Sequence, residues 1–96
     1  MSLTVRVFTH PACGGCGEAV RRAWEVSEKH PTEVTLRTVS LESAEGLAEA
    51  HAEKVMTIPT IIVSRGGEEQ HRIVGTPKGD RLEREIDRLL QEESAP

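Results

Sequence analysis

An α/β domain in the order β-α-β-α-β-β-α, with a four-stranded mixed sheet and helices on both faces, is predicted by three features of this 96-residue chain. The first two strand patterns are separated by a helical pattern long enough for a parallel crossover. The last two are separated by Arg65-Gly66-Gly67, which fits an antiparallel hairpin. A final stripe of Leu82, Ile86, Leu89 and Leu90 has helical spacing and supplies a cover for one sheet face.

The elements follow in order. Over residues 3–9, Leu3, Val5 and Val7 alternate with Thr4, Arg6 and Phe8, which reads as a strand. His10-Pro11-Ala12 ends it, since proline has no N–H for the sheet ladder. From Cys13 to about His30, the residues Cys16, Ala19, Val20, Ala23, Trp24 and Val26 recur on one side of an amphipathic helix closed by His30-Pro31. Gly14 and Gly15 make its first turn the least rigid part. Val34 and Leu36 mark a second strand over 33–39. Val39 and Leu41 fall out of phase with it, so a bulge or an early strand end is expected there.

Ser43 to Lys54 reads as a short helix carrying Ala44, Leu47, Ala48 and His51, weakened by Gly46. Thr60 to Ser64, built on Ile61-Ile62-Val63, fits a strand buried on both faces, with Gln70 to Val74 as its hairpin partner. Thr76-Pro77 then reads as the N-cap and first residue of the last helix. Asp80 with Arg84, and Arg81 with Glu85, are spaced to pair on its solvated face. The whole of 1–96 is expected to be a single domain, with 92–96 a frayed tail.

Composition excludes several classes. Ninety-six residues leave no room for a second core. The net charge is −4, with acids and bases interleaved, which speaks against a nucleic-acid surface. One Phe, one Trp and no Tyr leave little for base stacking. No apolar leader and no run of about 20 apolar residues is present, so neither a signal peptide nor a membrane span is expected. A cytoplasmic monomer follows as the expectation, and in a reducing compartment a cysteine pair is catalytic or metal-binding rather than structural.

The two cysteines stand together as Cys13-Gly14-Gly15-Cys16. Residues three apart on a first helical turn bring their Cβ atoms to about 5–6 Å, so two sulfurs can join or separate with little backbone movement. At a helix N-terminus, unpaired N–H groups and the helix dipole stabilise a thiolate at Cys13. The thiolate is the nucleophile, and Cys16, one turn further in, is the resolving thiol. Stapling is a poor explanation, because a disulfide across so short a loop adds little stability. Half a zinc site is an alternative, with Cys13, Cys16 and His10 as ligands, but no second C-x-x-C completes four. Two inert core cysteines are the other alternative.

These residues resemble a small member of the thioredoxin superfamily. Thr57-Ile58-Pro59-Thr60, then Ile61-Ile62-Val63, the Gly66-Gly67 turn, Val74-Gly75 and Lys78-Gly79-Asp80-Arg81-Leu82 follow thioredoxin's own order, and Cys13 to Cys16 ahead of the long helix completes the pattern. The likeness implies a minimal thioredoxin fold, lacking the first strand and helix of full-length members because only about a dozen residues precede Cys13. It also implies a cis Ile58-Pro59 bond beside the cysteines, with Ile58 and Pro59 holding an extended substrate and Ala12 and Gly75 lining the contact. The same proline discourages metal between the cysteines, so no metal and no cofactor beyond a Cys13–Cys16 disulfide is expected.

Three positions depart from the family pattern. Ala12 and Gly15 replace the usual tryptophan before the first cysteine and proline before the second. Val7 stands about where the family has a buried acid, and it cannot relay a proton to Cys16. His10, if protonated, would help a Cys13 thiolate. Glutaredoxin is the sibling reading, but its Gly-Gly-Asp type element is absent after the last strand, where Val74-Gly75-Thr76 stands instead. The resemblance therefore implies reduction of protein disulfides by a dithiol mechanism. The partners it implies are disulfide-bearing proteins and, as electron donor, a thioredoxin-reductase-like enzyme or a low-molecular-weight thiol. A glutathione-dependent reductase and a non-catalytic metal or interaction module on the same fold remain the alternatives.

Overall fold

The computed structural model describes residues 2–94. Seven elements occur in the expected order: β1 (Leu3–Thr9), α1 (Cys16–Lys29), β2 (Val34–Ser40), α2 (Ala44–Ala52), β3 (Thr60–Arg65), β4 (Glu68–Val74) and α3 (Arg81–Ser94). They build one sheet in the order β2-β1-β3-β4. β1 runs parallel to β2 and antiparallel to β3, and β3 pairs antiparallel with β4. The crossover α1 makes the parallel pair possible. Gly66 and Gly67, at φ 59° and 86°, make the β3–β4 turn, a left-handed conformation that side chains resist.

Alternation along the strands divides the interior into two layers. Leu3, Val5, Val7, Ile61, Val63 and Ile73 face α1 and α3, where Ala19, Ala23, Val26, Leu82, Ile86 and Leu89 close the larger core. On the other face Phe8, Val39 and Ile62 meet Ala50 of α2 and Val55 after it. Val39 is out of phase with Val34 because it serves this second core. No bulge is needed in β2: its seven residues pair with β1 one for one. The irregularity lies instead between β3 and β4, at Val63/Ser64.

Several boundaries differ from the sequence reading. α3 starts at Arg81 rather than Pro77, because Gly79 sits at φ +57° and breaks any earlier helical run. Its ladder begins with the Arg84 N–H donating to the Asp80 carbonyl. The helix continues through Ser94, so residues 92–94 are helical rather than tail, and 95–96 lie outside the described residues. Asp80 and Arg84 pair at 2.9 Å, whereas Glu85 pairs with Arg88 and with His71 of β4. Trp24 does not join the core: it is 54% exposed, on the flank of α1.

The α2 face is reversed. Leu47, Ala48 and His51 point outward, and Gly46 and Ala50 are buried instead. Ser43 caps the helix by accepting the Gly46 N–H at 2.9 Å. Gly46 is required by close approach, since a Cβ there would stand 1.8 Å from the Ser40 carbonyl oxygen. The inward face is set by Arg6, which donates from β1 to Glu49 at 2.8 Å and to Glu53 at 2.6 Å.

Candidate active site

Strand β1 ends at Thr9 and the chain turns through His10 to Gly15 before α1 begins at Cys16. The turn is tied at its root. The Cys13 N–H donates to the His10 carbonyl at 3.0 Å, and the Ala12 N–H donates to His10 Nδ1 at 3.0 Å. The His10 ring is thus turned back onto the backbone of its own turn. His10 anchors the turn that carries the first cysteine.

Cys13 therefore lies just ahead of α1 rather than in its first turn. Gly14 and Gly15 have poor helix propensity, and the ladder starts only with the Ala19 N–H donating to the Gly15 carbonyl at 3.2 Å. The first N–H of α1, that of Cys16, donates back to the Cys13 carbonyl at 3.5 Å. Cys13 and Cys16 are joined in a disulfide with their Cα atoms 5.5 Å apart. Cys13 is partly exposed, and Cys16 is only 5% exposed. The two cysteines therefore differ in exposure, the first being more open to solvent than the second.

Two further segments converge on the pair. The Ile58–Pro59 peptide bond is cis and Pro59 is buried. A Cβ built on Gly15 would lie 3.8 Å from Pro59 Cδ, which brings the proline against the C-x-x-C turn. The Gly75 N–H donates to the Pro59 carbonyl at 2.7 Å, joining the β4–α3 loop to the same place. Ile58 is half-buried on the Phe8 cluster, and Ala12 is exposed. Beside these, Met56 is 90% and Val74 59% exposed, so apolar surface continues along both converging segments. The sequence reading left out Met56 and Val74, and also Thr76, whose hydroxyl donates to the Gly15 carbonyl at 3.3 Å. No periodicity marks such residues, because they lie in or beside loops.

Val7 is fully buried in the larger core. In the first turn of α1, the Glu18 carboxyl is held below its ordinary range by hydrogen bonds from Arg21 and then Arg22. Among the described residues, no group of three His, Cys, Asp or Glu side chains is arranged to hold a metal ion. No helix among them is long and apolar enough to cross a membrane. A cavity of about 340 Å³ lies elsewhere, between α1 and α3 beside Trp24 and Leu82.

The family model for thioredoxin matches residues 2–88. The chain belongs to the thioredoxin family. Thioredoxin O2 from Arabidopsis thaliana, solved in its oxidised state, superposes with a TM-score of 0.81 at 27% identity, covering 92% of this chain and 75% of that one. Fasciola hepatica thioredoxin gives 0.78 at 25% identity, covering 91% and 80%. Thioredoxin-2 of the malaria parasite, described as a component of its protein secretion machinery, gives 0.80 at 21% identity over 91% and 82%, a likeness of fold. No curated protein matches the chain. Thioredoxin family, thioredoxin fold and the Cys13–Cys16 pair together identify a thiol–disulfide oxidoreductase.

Proposed function

We propose that this thioredoxin reduces disulfides in other proteins by a dithiol mechanism, with Cys13 as nucleophile and Cys16 as resolving thiol. The observation that carries the reading is the asymmetry of the pair: a partly exposed Cys13 ahead of α1 and a buried Cys16 within it.

The steps balance as two exchanges. The Cys13 thiolate attacks one sulfur of a substrate disulfide, forming a Cys13–substrate bond and expelling the other sulfur as a thiolate, which takes up a proton. Cys16 loses its proton and attacks Cys13 Sγ, closing the internal disulfide and expelling the second substrate thiolate. The substrate gains two electrons and the protein loses two. With Val7 in place of an acid, the Cys16 proton leaves to water or to the departing thiolate. Regeneration takes two electrons from a dithiol reductase of the thioredoxin-reductase type or from a low-molecular-weight thiol. No resident cofactor is needed, since the Cys13/Cys16 dithiol itself carries the electron pair and the disulfide is its spent form.

Substrate would lie along Ile58 and Pro59, with Ala12 and Gly75 at its flanks. An extended substrate strand would pair with the Ile58 backbone. The working compartment on this reading is the cytoplasm. The test is reduction of insulin disulfides with dithiothreitol, and separately with glutathione and glutathione reductase, as donor. Turnover in the first assay that fails in the second supports protein-disulfide reduction; turnover only with glutathione makes the protein glutaredoxin-like.

A further inference from the structure

We propose that Thr76 is a positioning residue for the cysteine pair: from the β4–α3 loop its hydroxyl fixes the Gly14-Gly15 turn and so sets how readily the two thiols close into a disulfide. The proposal rests on the dithiol reading only in treating that closure as a functional step.

The Gly15 carbonyl, directly before Cys16, accepts two hydrogen bonds. One comes from the Ala19 N–H at 3.2 Å and starts the ladder of α1. The other comes from Thr76 Oγ1 at 3.3 Å, from a residue 61 positions away. The same hydroxyl fills the space that a side chain at position 15 would need. A Cβ on Gly15 would stand 2.4 Å from Thr76 Oγ1, well inside contact. Positions 15 and 76 are thus coupled by sterics as well as by the hydrogen bond. The loop that carries Thr76 is itself held, through the Gly75 N–H on the Pro59 carbonyl at 2.7 Å and through Gly75 at φ +88°.

The consequence falls mainly on the reduced protein. Two adjacent glycines have more backbone freedom than any other pair, and in the dithiol no covalent bond restrains them. Every turn conformation that separates the sulfurs lowers their effective concentration. The Thr76 bond removes part of that freedom, so losing it favours the dithiol. Closure itself takes two protons and two electrons from Cys13 and Cys16, which glutathione disulfide accepts to become two glutathiones.

The test equilibrates the full chain, Thr76→Val and Thr76→Ser with glutathione and glutathione disulfide, with acid quench and mass spectrometry. A hydrogen bond of ordinary net strength predicts that Thr76→Val shifts the equilibrium about fivefold toward the dithiol. That is a rise of about 20 mV in potential. Thr76→Ser, which keeps the hydroxyl, restores the wild-type value, and the pH profile of Cys13 alkylation is the same in all three. Independently, the shift caused by Gly15→Ala differs between the wild-type background and Thr76→Ala, because the 2.4 Å approach to Thr76 Oγ1 exists only in the first. A wild-type equilibrium in Thr76→Val, a serine variant that behaves like valine, or a Gly15→Ala effect indifferent to Thr76 overturns the proposal. Insulin reduction by the wild type is scored separately, and its failure would remove the enzymatic reading while leaving these equilibria readable.

Discussion

Arg6, on inner strand β1, donates to Glu49 of α2 at 2.8 Å with only 13% of its side chain exposed. Glu49 also accepts from both terminal nitrogens of Arg37 on β2, at 3.0 and 2.9 Å. Arg6 reaches Glu53 one turn further on. A charged cluster therefore fastens α2 to the sheet beside the small Phe8 core.

This cluster makes stability depend on acid. Hydrogen bonds from Arg37 and then Arg6 lower the Glu49 carboxyl from 4.5 to about 2. Between those values the unfolded chain binds more protons than the folded one. The contribution of Glu49 is therefore complete above about pH 4.5 and is lost as the pH falls toward 2. Glu49→Gln is expected to cost roughly 1–2 kcal/mol at pH 7, allowing for partial solvent screening. Its urea-measured stability should also fall less steeply below pH 4.5 than that of wild type. Parallel pH profiles would show that the Arg6–Glu49–Arg37 cluster does not contribute to stability.

Gly46→Ala separates propensity from packing. In an open helix this change stabilises by about 1 kcal/mol. Here the new Cβ would stand 1.8 Å from the Ser40 carbonyl oxygen. Thermal unfolding should show a loss of roughly 1–3 kcal/mol, as overpacking does. A gain would mean that α2 docks less closely.

Trp24 and Ile86 test the core assignment. Ile86 is fully buried between α3 and the sheet, and Trp24 is 54% exposed. Ile86→Ala should cost about 2–5 kcal/mol and Trp24→Ala far less, the reverse of a ranking by side-chain size. Chemical denaturation of the two variants reads the difference directly.

The larger core was legible because its residues keep strict periods: Leu3, Val5 and Val7 along β1, and Leu82, Ile86 and Leu89 along α3. The cysteine pair was legible because its spacing encodes its geometry. The inward face of α2 was not, because it is fastened by charge: Glu49 and Glu53 look like a solvated face until Arg6, over 40 residues earlier, is placed beneath them. Trp24 misled for the opposite reason, since an apolar side chain at helical spacing sits just off the contact line. Thr76 and Gly15 meet only through the fold, so nothing local announced their contact.

On the proposed mechanism Cys13, not Cys16, is the attacking sulfur. The most direct measurement is to mix reduced Cys16→Ser protein with a disulfide-bonded protein substrate, quench in acid and map the product by mass spectrometry. A stable mixed disulfide at Cys13 is expected, and a Cys13→Ser variant should show neither adduct nor insulin turnover. A Cys13→Ser variant that still reduces insulin, or a Cys16→Ser variant that never captures substrate, would contradict it.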